Sequence, residues 1–172
     1  MNSAILLIPL FLIRYGLLSL VNRKALPRAA HFPPMQGIEK KMYILYQAST
    51  LYIIVDMFFL NIREGKPWLY IGFSIYILGI LLFIFSVVGF ARPDKYGICR
   101  SGLFRISRNP MYVAYGVYFL GFVVLTQSIL LFLAVLVFQI SSHWVILAEE
   151  RWCTNQFGKE YSEYLKQVRR YF

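Results

Sequence analysis

The chain has 172 residues, of which 59% are hydrophobic, 18% aromatic and 15% charged, and its net charge is +10. Soluble domains carry roughly a quarter of their residues as charges, and here the apolar residues stand in blocks. This excludes a soluble globular protein and predicts an all-α, polytopic membrane protein. The cations lie between the apolar blocks, where membrane orientation accounts for them. No nucleic-acid reading motif accompanies them, so no nucleic-acid partner is expected.

Five spans are predicted in chain order, at about residues 4–21, 42–62, 68–91, 111–125 and 129–148. Each is near the ~20 residues a bilayer requires. The first follows Met1-Asn2-Ser3, which has no Lys or Arg, and no small-residue cleavage pattern comes after it. A retained helix is expected rather than a signal peptide. Arg14 interrupts this span and is expected to snorkel or to pair with an acid inside the bundle. Asp56, inside the second span, is either that partner or a functional acid in its own right. Between these spans His31-Phe32-Pro33-Pro34 reads as a stiff, polyproline-like connector. The stretch Met111 to Ala148 is too long for one span. Gln127-Ser128 is its most polar point, so a tight helical hairpin is predicted there. In the tail, Phe157, Tyr161, Tyr164, Leu165 and Val168 recur at helical spacing. Lys159, Glu160, Glu163, Lys166 and Arg170 take the other face. This predicts an amphipathic C-terminal helix, lying on the membrane or capping the bundle.

Five spans divide the cations unequally. Loop one holds Arg23, Lys24, Arg28, Lys40 and Lys41, and loop three holds Arg92, Lys95, Arg100, Arg105 and Arg108. The tail holds Arg151, Lys159, Lys166, Arg169 and Arg170, whereas the opposite side has only Arg63 and Lys66. Fifteen cations against two place loops one and three and the C-terminus in the cytoplasm. Cys99 and Cys153 fall on that reducing side without a CxxC, so no structural disulfide is expected. His31 and His143 are far apart with no ligand cluster, and no metal site is expected.

Candidate chemistry gathers at the cytoplasmic face. In Ser107-Arg108-Asn109-Pro110-Met111-Tyr112-Val113, Asn109 is a favoured N-cap and Pro110 a favoured first helical residue. A helix N-terminus beside Arg108 is an anion site, or simply a capped helix with an orienting arginine. Glu149-Glu150 closes the fifth span, where carboxylates oppose the helix dipole. Adjacent residues point about 100° apart, so one of the two at most faces a given ligand. His143 lies two helical turns before Glu150 on the same face. It reads either as a neutral histidine bonded to Ser141, Ser142 or a neighbouring helix, or as a ligand contact or proton acceptor.

Loop three and the tail together resemble the isoprenylcysteine carboxyl methyltransferase family, a wider group that includes phospholipid N-methyltransferases. The resemblance rests on Ser101-Gly102-Leu103-Phe104 and Arg108-Asn109-Pro110-Met111-Tyr112. After the hairpin it continues in Glu149-Glu150, Phe157-Gly158, Tyr161, Tyr164 and Val168-Arg169-Arg170, and it covers about Lys95 to the C-terminus. It implies one integral-membrane domain, residues 1–172, that uses S-adenosylmethionine on a lipid-like or prenylated acceptor from the bilayer. The cofactor region it implies is about 95–112 and 149–172. No GxGxxG follows a strand, so the soluble dinucleotide-type site is excluded. The cofactor contacts implied are Tyr96, Gly97, Ile98, Cys99, Phe104, Asn109, Pro110, Met111, Tyr112 and Glu149. In this reading N–H groups near Asn109 hold the methionyl carboxylate, and Glu149 pairs with the methionyl ammonium or the sulfonium. The aromatic rings face the adenine or sulfonium, and Arg108 orients Glu149 or an anionic acceptor.

Two departures leave the acceptor open. Asn109 stands where the prenylcysteine enzymes commonly have His, and Val145 where they carry an Arg implicated in binding the acceptor carboxylate. RNPMY with a bare Glu pair is common among bacterial and archaeal relatives. An amine acceptor, as in a phospholipid N-methyltransferase, requires a base, for which His143 or Glu150 is the candidate; a carboxylate acceptor requires none. The non-enzymatic alternative is a small membrane transporter or assembly subunit with Arg14, Asp56 and His143 as a polar path. The sequence does not set the oligomeric state.

Overall fold

The computed structural model describes residues 1–171 and is all-helical, with no strand among the described residues. Phe172, the last residue of the expected cofactor region, lies outside the described residues.

The first helix, α1 (Ser3–Val21), changes its winding along its length. It is 3-10 over Ser3–Leu7, α over Ile8–Phe11, π-wound over Leu12–Leu17 and α again over Leu18–Val21. Pro9 accounts for the first change, since a proline has no N–H to return to Leu6, three residues earlier. The Leu6 carbonyl instead accepts from two hydroxyls, Tyr76 at 3.0 Å and Tyr118. Then follow α2 (Ala25–Ala29), α3 (Ile38–Asp56), α4 (Lys66–Ala91), a 3-10 turn (Gly102–Arg105), α5 (Pro110–Thr126), α6 (Ile129–Phe157) and α7 (Lys159–Gln167).

Three of these, α1, α4 and α6, are long and apolar enough to cross a membrane. Helix α5 is apolar but has 17 residues, and α3 carries Glu39, Lys40, Lys41 and Asp56. Helix α4 packs along α5, and α3 packs along α6. The α4–α5 contact is close because glycines remove the side chain at both crossings. A Cβ on Gly79 would lie 2.5 Å from the Tyr118 Cα, and one on Gly121 would lie 2.7 Å from the Tyr76 Cα. Small residues at such crossings let two backbones approach in a membrane, where no hydrophobic effect drives helices together. Helix α5 ends where Gln127 turns left-handed (φ 52°), and the Ser128 side chain caps α6 by accepting from the Leu131 N–H at 3.2 Å.

Several expected boundaries are corrected. Helix α6 does not end near residue 148; it runs through both glutamates to Phe157 and stops at Gly158 (φ 56°). The apolar run marks where a membrane would end, and the backbone hydrogen bonds continue past it. The dipole penalty expected for the Glu pair therefore does not arise. Helix α3 stops at Asp56, short of residue 62. The chain beyond it turns and ties to the N-terminus, where Ser3 Oγ donates to Met57 O at 2.8 Å and the Ile62 N–H to Met1 O at 2.9 Å. Asp56 does not meet Arg14. Its Oδ2 is buried and without a partner among the described residues, while Arg14 donates to the Ala29 carbonyl at 2.5 Å. The tail helix is limited to Lys159–Gln167, and Val168 turns extended (φ −122°, ψ 135°).

Candidate active site

Loop three is held by Asp94. Its Oδ1 accepts from the Tyr96 N–H at 2.9 Å and the Ile98 N–H at 3.0 Å, and its N–H donates to Ile98 O at 2.9 Å. Gly97 sits inside this loop at φ +87°, where an added Cβ would lie 3.2 Å from Phe157. Tail residues cover the loop from outside. Tyr161 and Tyr164 bury against Ile98, with Phe157 and Cys153 packed alongside. Tyr164 donates to Phe104 O at 2.6 Å, and Arg100 to Glu160 O at 2.6 Å. The amphipathic helix α7 thus caps the site with its apolar face. Burial pushes the Cys99 thiol upward, partly offset by the Arg28 guanidinium beside it.

A second unit fixes the start of α5. Glu150, 7% exposed, receives five hydrogen bonds. They come from Arg108 (Nε 3.1 Å, Nη2 3.3 Å), Arg170 (Nε 3.1 Å, Nη2 2.9 Å) and the Asn109 Nδ2 at 3.1 Å. Arg108 Nη1 also donates to Leu165 O at 2.9 Å and Val168 O at 3.1 Å. The Arg108 N–H reaches Arg169 O at 2.9 Å, so the extended tail lies against Ser107. This network joins α5, α6 and the tail. Asn109 occupies the N-cap position, but its side chain does not cap α5, being used on Glu150 and on Arg170 O at 3.2 Å.

Above these units lies a cavity of about 670 Å³. Glu149 and Tyr112 meet in its wall, with the Tyr112 hydroxyl donating to Glu149 Oε1 at 2.7 Å. The two glutamates therefore divide: Glu149 takes one neutral donor, and Glu150 takes two guanidiniums and an amide. The rest of the wall is largely aromatic and apolar, and the volume falls inside the ~300–1,000 Å³ range of small-molecule sites.

The phospholipid methyltransferase family model matches the chain over residues 68–160. That segment is more than half of the chain and runs from the start of α4 into α7. The chain belongs to the phospholipid methyltransferase family. No curated protein and no solved structure matches it.

Most of the residues expected from the sequence stand in the cavity wall of this family member. Gly97, Ile98, Cys99, Phe104, Arg108, Asn109, Pro110, Met111, Tyr112, Glu149 and Glu150 all do. Two do not. Tyr96 is 46% exposed, with the Lys95 Nζ over its ring at 4.9 Å. His143 lies outside the wall, its Nδ1 2.7 Å from the Tyr171 hydroxyl. Its partner is therefore the tail, whereas Ser141 and Ser142 bond to carbonyls of their own helix. Arg108 does not orient Glu149, because its donors are committed to Glu150 and the tail.

The sequence reading missed loop one. His31, Phe32 and Pro33 line the cavity rather than merely connecting two helices. His31 packs on Trp152 with ring centroids 5.2 Å apart, and Phe32 packs on Tyr43 at 5.1 Å. Arg151 anchors the loop by pairing with Glu39 and donating to Pro34 O at 3.1 Å. That pairing holds the Glu39 carboxyl below the usual carboxylate range. The readable signal was Arg151, a cation directly after the glutamates, facing an acid at the start of α3. Arg14 and Tyr46 also reach the wall.

Proposed function

We propose that this protein transfers a methyl group from S-adenosylmethionine to a lipid-like or prenylated acceptor, with the cofactor in the cavity above Glu150. One observation carries the reading. The residues that resemble the family's cofactor motif, scattered over loop three, the start of α5 and the middle of α6, line one cavity.

The donor set fits a cofactor with a cationic centre. Glu149 is a carboxylate with a single neutral hydrogen-bond donor among the described residues, set among aromatic rings. When bound, the cofactor supplies an already activated methyl on a sulfonium, so the protein chiefly aligns and desolvates. Glu149, fixed by Tyr112, holds the cationic end. Gly97 and Ile98 offer backbone in a loop that Asp94 sets beforehand. Phe104 and Tyr112 supply rings for the adenine or sulfonium. Glu150 is a positioning residue. With five hydrogen bonds on two oxygens it is committed to Arg108, Asn109 and Arg170. The cytoplasmic placement of loop three and the tail, read from the cations, brings the cofactor from the cytosol and the acceptor from the bilayer.

The acceptor is either a phospholipid amine or a prenylcysteine carboxylate. The test is transfer of labelled methyl into extracted lipids by purified protein, followed by base treatment. Label released as methanol identifies an ester, and label retained identifies an N-methyl group. Folded protein that labels neither acceptor defeats the proposal.

A further inference from the structure

Arg14 is placed in a way that stability does not explain. It is the third residue of the π-wound stretch Leu12–Leu17 in α1. Such wide turns are rare and occur frequently at functional sites. The side chain lines the cavity with Tyr46 and Tyr115. Of its five N–H donors, one is spent on the Ala29 carbonyl at 2.5 Å and another faces Tyr115, and no carboxylate lies within 4.0 Å of it among the described residues. The other guanidiniums of the wall are occupied. Arg108 is committed to Glu150, and Arg28 lies over the Phe90 ring at 4.8 Å and reaches Cys99 Sγ at 3.3 Å. A charge inside a membrane span without a direct ion-pair partner, facing Glu149 only across the cavity, marks a functional site by default, and its guanidinium fork matches carboxylate and phosphate geometry.

We propose that Arg14 binds the anionic group of the lipid acceptor, a phosphate or a carboxylate, and so seats its head in the Glu149 cavity. This rests on the lipid-methylation reading. The cavity then divides its charges: the carboxylate of Glu149 serves the cationic cofactor, and the guanidinium of Arg14 serves the anionic acceptor. A purely structural Arg14, clamping Ala29, would instead show no preference among ligands by charge.

The experiment is calorimetric binding in neutral detergent without cofactor, using two matched pairs. N-acetyl-S-farnesylcysteine is compared with its methyl ester, and a short-chain phosphatidylethanolamine with the corresponding diacylglycerol. Wild type is expected to bind the charged member of at least one pair about tenfold tighter, a difference of roughly 1.4 kcal/mol. The pair that shows it names the source of the anion. Arg14→Gln is expected to erase the preference and Arg14→Lys to retain part of it, with S-adenosylhomocysteine binding unchanged in both. The proposal is overturned if wild type binds charged and neutral members alike, if Arg14→Gln keeps the preference, or if Arg14→Gln loses the S-adenosylhomocysteine site. Wild type that binds both members alike overturns the proposal without any variant, and the partial preference of Arg14→Lys carries the assignment if Arg14→Gln fails to fold. Wild type that shows the preference but binds no S-adenosylhomocysteine would defeat the methyl-transfer reading and leave the anion site standing.

Discussion

Replacing Glu149 by Gln removes one charge and little else. The amide oxygen still accepts from Tyr112, whose hydroxyl lies 2.7 Å from Glu149 Oε1, and the volume is nearly unchanged, so the cavity keeps its shape. What is lost is a charge-assisted contact to the cofactor's cationic end. Hydrogen bonds to charged groups contribute about 1.5–3 kcal/mol, which corresponds to roughly 12- to 150-fold in Kd. Calorimetry with S-adenosylmethionine, which carries both the ammonium and the sulfonium, on detergent-purified protein without acceptor reads this directly. Tyr112→Phe keeps the charge and releases the carboxylate from its fixed position, so a smaller loss of about tenfold is expected. Thermal unfolding of each variant controls for folding. Wild-type affinity in folded Glu149→Gln would refute the assignment of Glu149 to the cofactor, whatever the protein's activity.

Other consequences separate the cofactor site from its supports. Glu150→Gln leaves Arg108 and Arg170 without their shared carboxylate, and breaking such a buried pair costs about 3–5 kcal/mol; a large fall in the thermal midpoint is expected, and unchanged stability would contradict the network. Gly79→Leu forces atoms into the Tyr118 backbone and is expected to cost at least ~1–3 kcal/mol by overpacking, read as reduced thermal stability in detergent. Glu39→Gln tests the loop-one anchor. Because Arg151 lowers the Glu39 pKa, the pair's stabilisation is present above the ordinary carboxyl value of 4.5 and is lost as pH falls through the lower folded value. The variant should therefore melt earlier than wild type at pH 7, by a difference below ~1 kcal/mol since Arg151 is partly exposed, and that difference should shrink as the pH is lowered below 4.5. Cys99 has a raised thiol pKa and lines the cavity, so maleimide labelling should be slow at neutral pH, quicken as pH rises, and be blocked by S-adenosylhomocysteine.

The motif residues were legible because local chemistry sets them. Asn-Pro starts a helix, and the order of loop three, hairpin and tail carries the family spacing. Backbone position was read better than side-chain direction. Local rules place Asn109 at the start of α5, but its amide turns to Glu150, a partner 41 residues away that no local rule supplies. The two glutamates look alike in sequence and differ only in what the third dimension brings: Tyr112 to one, Arg108 and Arg170 to the other. In sequence Tyr96 groups with its neighbours, yet the Asp94 turn sends it outward while Gly97 and Ile98 go in. His143 shares a helical face with Glu150, but the tail returns Tyr171 to it outside the cavity. Arg14 was the least legible. Its direction depends on a π-wound turn, and neither hydropathy nor 3.6-residue periodicity registers a change in winding. Loop one reads as a connector in sequence because its Pro-Pro stretch is stiff, and the same stiffness suits it to form a wall.

The central claim is that the cofactor occupies the cavity between loop three, the start of α5 and Glu149. Ultraviolet photolabelling with methyl-labelled S-adenosylmethionine, followed by peptide mapping, tests it most directly. Adducts on peptides containing residues 97–112 and 149–164, removed by excess S-adenosylhomocysteine, are predicted. Specific adducts confined to other segments, or none on folded protein, would contradict it.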